Sequence, residues 1–222
     1  MGKVTVIFAI IISSILFLGC VGPKQDSVKS SQYSYDREIR FTGGSYKGAG
    51  ESLNGVITYF TDQKETIFSF SGSRKISASG NEVSNQIEAH YAFDYETAEP
   101  REINDSAFLD LEQDLQRPTI FSNWTEIAKS DGSVQVISEQ SIKSSFCPPS
   151  SNAQISYLLQ MRDAESGAAS TMDILQCLGT GYYYSNDTYK DIQLLAYRLE
   201  QNTSLGNDTI VMTAESRLLG SS

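Results

Sequence analysis

The stretch Gln86–Tyr95, QIEAHYAFDY, sets apolar side chains at Ile87, Ala89, Tyr91, Phe93 and Tyr95 and places Glu88, His90 and Asp94 between them. A repeat of two is the period of a β-strand with one buried and one solvated face, and a helical repeat of 3.6 does not fit it. The same signal returns at Val56/Thr58/Phe60, Phe68/Phe70, Val134/Val136 and Ile210/Met212. Strand-like runs at such spacing predict a mostly antiparallel β fold, either a sandwich or a barrel. Asp131-Gly132, between TEIAKS and SVQVISEQS, predicts a tight hairpin, because both central positions of such a turn need positive φ. GYYYSNDTYKDIQLLAYRLEQ predicts another, with Ser185 to Thr188 at its tip. The glycine-rich FTGGSYKGAGE, Phe41 to Glu51, lacks phosphate-loop spacing and reads as a hairpin tip. One short helix is expected near 105–117, where Phe108, Leu111 and Leu115 share a face ahead of Pro118.

The chain has 222 residues, 40% hydrophobic and 20% charged, enough for one well-buried domain. Its formal charge is −10 and no Lys/Arg cluster stands out. Nucleic acid is therefore excluded as a partner, since affinity for it comes largely from clustered cations on phosphates. The same charge keeps the domain off an anionic bilayer, so contact with a membrane requires an anchor.

The N-terminus supplies a candidate anchor. Met1-Gly2-Lys3 leads into the apolar run Val4–Leu18, and Gly19-Cys20 is followed by the polar VGPKQDSVKSSQYSY; this is the layout of an export signal. Fifteen residues make a helix of about 22 Å, short of the roughly 30 Å hydrocarbon core. The segment Phe17-Leu18-Gly19-Cys20 resembles the lipobox of prokaryotic lipoproteins, archaeal ones included. That resemblance implies cleavage before Cys20, lipidation of its sulfur, and a protein held on the cell membrane facing outside the cytoplasm. Gly19 and Cys20 carry the match; Phe17 and Leu18 depart from it and keep an uncleaved anchor as the alternative. The expected organisation is a signal peptide over 1–19, a flexible tether over 20–35 and a single β domain over 36–222.

Assigning Cys20 to lipid leaves Cys147 and Cys177, for which an oxidising compartment predicts a disulfide; two buried thiols are the alternative. Five of the nine asparagines, Asn104, Asn123, Asn186, Asn202 and Asn207, stand in N-x-S/T sequons, as in an exported glycoprotein. Catalytic signals are sparse. His90 is the single histidine and no zinc ligand set forms around it; no cofactor fingerprint occurs. Tyr182, Tyr184 and Tyr189 form the one suggestive aromatic patch, suited to a surface glycan, peptide or lipid. The leading expectation is a lipid-anchored, non-enzymatic binding or structural module. The alternatives are an antiparallel carrier of an apolar or lipid ligand, and an exported hydrolase using paired carboxylates among Glu96, Glu99, Asp110, Glu112 and Asp114.

Overall fold

A computed structural model describes residues 29–61, 65–94, 100–104, 118–119, 121–163, 167–180 and 192–221. The strands are β1 (Lys29–Gly43), β2 (Gly50–Thr61), β3 (Glu65–Ala78), β4 (Asn81–Asp94), β5 (Pro100–Asn104), β6 (Val134–Ser141), β7 (Ala153–Arg162), β8 (Ala169–Thr180), β9 (Ile192–Leu205) and β10 (Asp208–Ser221). All pair antiparallel in one sheet of order β5-β4-β3-β2-β1-β10-β9-β8-β7-β6. The antiparallel β class expected from the alternation is what forms. Among the described residues it is a single open sheet, with β5 and β6 as its two edges, neither closed into a barrel nor stacked as two layers. One meander runs outward from β1 to β5, the other returns from β6 to β10, and β1 and β10 join them along their whole length.

Local chemistry accounts for the turns. β3 and β4 meet through Ser79 and Gly80, both at positive φ, the two-residue geometry that suits the right-handed twist of a hairpin. The glycine-rich segment after Gly43 is a hairpin tip as read from the sequence, with a short 3-10 turn at Gly44–Tyr46. Asp131-Gly132 differs from the expected hairpin. Thr125–Ser130 is helical, part of α1 (Trp124–Ser130), because Asn123 accepts the Glu126 amide at 3.2 Å and caps the first turn. Trp124, Ile127 and Ala128 then fall on the face turned to the core. The helix expected near 105–117 lies outside the described residues.

Alternation fixes which face each strand buries. On β1, Tyr33, Tyr35, Arg37 and Ile39 point to one face, called inner below, and pair with Leu218, Ser216, Ala214 and Met212 of β10. Phe68/Phe70, Val134/Val136, Ile210/Met212 and Ile87/Ala89 take the face predicted for them. β2 is inverted: Leu53, Ile57 and Tyr59 are buried and Val56 and Thr58 face outward. The run VITYF is apolar on both faces, so its own pattern cannot choose; pairing of Ile57 with Phe70 and Tyr59 with Phe68 decides it. The tether boundary also moves. β1 begins at Lys29, and Tyr33 and Tyr35, placed in the tether by sequence, are each 1% exposed in the core.

The outer face carries a second, small core. Phe146 and Cys147, between β6 and β7, pack on Leu175, Cys177 and Ala196. A disulfide joins Cys147 to Cys177, Cα atoms 5.4 Å apart. The Phe146 ring lies between the guanidiniums of Arg198 and Arg217, each 4.2 Å from its centroid, and Arg217 donates to the Phe146 carbonyl at 2.7 Å.

Candidate functional site

The inner face is one continuous apolar surface. Its buried cluster draws on β1 to β4 and β6 to β10, with aromatic pairs such as Tyr59–Phe68 at 4.9 Å and the edge-on Tyr35–Phe70 at 6.3 Å. Among the described residues, α1, Pro118–Thr119 and Phe121 are set against it from outside the strands: α1 over β6, Phe121 packed on the buried cluster, and Pro118 through its carbonyl, which accepts Ser216 Oγ at 2.7 Å. A glycine pair shapes its β2–β3 part. Gly55 and Gly72 are cross-strand partners, and the Phe70 ring lies over both of them.

Polar groups on this face fall into two sets. The first, toward β1–β3, is ionic. Glu51 joins Arg37 and Arg74, the latter at 2.8 Å, and Arg37 is only 5% exposed. Burial of this kind is tolerated because the charges are paired. Tyr33 belongs to the same half; it donates to the Leu194 carbonyl at 3.1 Å, and burial, reinforced by nearby Tyr59, raises its hydroxyl pKa above the ordinary phenol value.

The second set, toward β7–β9, is neutral and incomplete. Gln176 is fully buried, in register with Ile155 of β7 and Tyr197 of β9, and neither its Nε2 nor its Oε1 has a hydrogen-bond partner. Trp124 Nε1 on α1 is likewise buried without a partner. A buried polar group left unpaired costs about 1–3 kcal/mol, so the two ends of Gln176 together cost several. An aliphatic residue of the same length at this position avoids that cost.

The residues singled out by sequence are dispersed. Cys20, Tyr182, Tyr184, Tyr189, Asn186, Glu96, Glu99, Asp110, Glu112 and Asp114 lie outside the described residues. Asn104 ends β5, Asn123 caps α1, Asn202 is exposed on β9, and Asn207 is exposed in the turn between β9 and β10. His90 pairs in register with Ser69 on β4's outer-facing side, opposite in orientation to buried Ala89. Among the described residues no three His, Cys, Asp or Glu side chains gather as metal ligands, and no described helix is long and apolar enough to cross a membrane. The residues that sequence reasoning missed are Arg37, Glu51, Arg74, Trp124 and Gln176. A usable signal existed for two of them. Gln176 interrupts the period-two run Met172, Ile174, Leu178, and Arg37 interrupts Tyr33, Tyr35, Ile39.

No protein-family model and no curated protein matches the chain. Among solved structures it is similar to a lipovitellin structure concerned with lipid–protein interactions, at TM-score 0.42 and 8% identity over 87% of this chain and 25% of that one. The chain thus spans about a quarter of the lipovitellin chain. A structure of MucB in complex with MucA(peri) gives TM-score 0.14 and 10% identity over 86% of this chain and 88% of that one.

Proposed function

We propose that the protein is a membrane-anchored, non-enzymatic binding module that holds an apolar ligand against the inner face of its open sheet. The observation that carries this reading is the pairing of two features: a continuous apolar inner face over nine strands, and a sheet that, among the described residues, neither closes into a barrel nor faces a second sheet. Five of the described carboxylates, Glu38, Glu51, Glu82, Glu126 and Glu215, are engaged with arginine or lysine, which leaves these five unsuited to a hydrolase's carboxylate pair.

The anchor is proposed at Cys20, with the domain outside the cytoplasm. Since β1 starts at Lys29, residues 21–28 reach at most about 30 Å, so the domain stays close to its membrane. The test uses the full chain in amphipol. Trp124 is the single tryptophan and lies on the inner-face core, so its fluorescence should respond saturably to an added long-chain monoacylglycerol, fatty acid or alkane. No saturable response to any of the three, together with no lipid-sized adduct in native mass spectra of the chain isolated from membranes, overturns the proposal.

A further inference from the structure

We propose that the free edge of β4, residues 81–89, takes up an extended segment of another protein as an added strand, one that carries a lysine or arginine opposite Glu88 and aliphatic side chains on the inner side. This stands apart from the apolar-ligand reading, because it uses the backbone edge of the sheet and not its packed face. The first ground is hydrogen bonding. β4 pairs with β3 without a break from Asn81 to Asp94, whereas its other side meets β5 only from His90. Among the described residues, no segment pairs with that side of residues 81–89. Every second residue of an edge strand turns its N–H and C=O outward, and another extended chain, about 4.8 Å away, is what matches such a row.

The second ground is room. Residues 81–86 are exposed on both faces; Val83 is 57% exposed and its cross-strand partner Ile76 40%. Sheet edges are ordinarily blunted by proline, lysine or a bulge. The opposite edge, β6, has a bulge between Val136 and Ser138 and α1 beside it, but residues 81–89 contain no proline, no lysine and no register shift. Charge then selects the occupant. Glu82 and Glu88 lie on the outer side, opposite in orientation to Val83, Ile87 and Ala89, and Glu82 stands 2.8 Å from Lys75. A second copy of this chain does not suit the edge: antiparallel pairing about Asn85 sets each Glu82 opposite the other copy's Glu88, and like charges directly opposite destabilise a strand pair. A foreign strand with a cation opposite Glu88 gains attraction there, and its alternate aliphatic side chains lie beside Val83 and Ile87. Main-chain bonds supply the affinity of such strand addition and the flanking side chains its selectivity.

Two short peptides of alternating valine and threonine, one with lysines and one with glutamates at the positions that meet Glu82 and Glu88, test this on the full chain in amphipol. Hydrogen exchange at the outward amides of residues 81–89 should be fast in the protein alone and slowed about tenfold by the lysine peptide. That peptide should bind about tenfold more tightly than the glutamate peptide. Glu88→Lys should invert the preference, and Glu88→Gln, the milder variant, should bring the two peptides close to equal; both should keep the wild-type melting temperature. In the native membrane, a photocrosslinking residue in place of Ser84 should join a peptide of a second protein that is extended in pattern and carries a lysine or arginine. Slow exchange of these amides in the protein alone overturns the proposal, because the chain then covers its own edge. Slowing that grows with protein concentration without peptide, or Ser84 adducts only with this same chain, replaces the foreign strand by a second copy and overturns it too. Equal affinity for the two peptides, a lysine preference that survives both Glu88 variants, or no adduct at Ser84 removes the stated partner.

Discussion

Replacing Gly72 by alanine should cost this protein about 3 kcal/mol of stability, through a single methyl group. A Cβ on Gly72 stands 2.2 Å from the Asn54 carbonyl oxygen, 2.6 Å from Phe70 Cζ and 2.7 Å from the Gly55 Cα. Carbon atoms in favourable contact lie about 3.5–4.0 Å apart, so β2 and β3 must spread and the Phe70 ring must leave its seat over the glycine pair. Phe70 is buried on the inner face and packs edge-on against Tyr35. Deleting a buried phenylalanine costs about 3–5 kcal/mol, and displacing one recovers only part of its contacts, which sets the figure. At about 2–4 °C per kcal/mol for a domain of this size, the melting temperature should fall by about 6–12 °C. Gly132→Ala is the control, since nothing lies within 4 Å of its added Cβ, and it should change stability by less than about 0.5 kcal/mol. Thermal melts of the full chain in amphipol, followed by Trp124 fluorescence and circular dichroism, measure both variants. In a Phe70→Ala background the cost of Gly72→Ala should shrink, because the displaced ring is already gone. A Gly72→Ala melt within 2 °C of wild type, or a Gly132→Ala melt equally lowered, refutes the steric reasoning.

Three further outcomes are expected. Replacing Cys147 and Cys177 together by serine frees a 30-residue separation in the unfolded chain and should cost about 3–4 kcal/mol in denaturant titrations; a loss below 1 kcal/mol contradicts it. Glu51→Gln removes the charge that Arg37 and Arg74 share and should cost about 2 kcal/mol, whereas Glu38→Gln, at an exposed pair with Arg40, should be near neutral by the same titration. Tyr33 has a folded-state pKa above its unfolded value of about 10, so its contribution to stability is complete below pH 10 and declines as pH rises above it. Melting temperature should therefore drop more steeply above pH 10 in the wild type than in Tyr33→Phe, and parallel curves would discount Tyr33 as the source.

Legibility differed from element to element for physical reasons. QIEAHYAFDY was readable because one of its faces is polar; Ala89 is buried and Glu88 exposed as that contrast requires. VITYF was misassigned because both of its faces are apolar, and only its cross-strand partners Phe68 and Phe70 break the tie. TEIAKS carries two competing local signals: Asn123 and Glu126 stand at cap and third-residue spacing, while the Asp131-Gly132 dipeptide after it favours a hairpin, and the helix is what forms. Tyr33 and Tyr35 look like tether because serines and a glutamine surround them; the tertiary cause of their burial is the pairing of β1 with both β2 and β10. The site was less legible than the fold. Gln176 was visible as a polar interruption of an apolar run, but its lack of partners is a property of three strands together.

The sequence by itself determined the antiparallel β class, since side-chain alternation is a consequence of strand geometry alone and needs no neighbours. It also pointed to Cys147 and Cys177 as the cysteines to pair, and the structure joins them. Only the tertiary structure decided that the strands form one open sheet, that the chain's first and last strands meet at its middle, and that the larger apolar cluster gathers on the inner face with Gln176 buried in it while a small one forms at the disulfide on the outer face. Strand order, closure and the satisfaction of buried polar groups depend on contacts between segments distant in the chain. No local pattern encodes those contacts, because each is the outcome of one strand's face meeting another's.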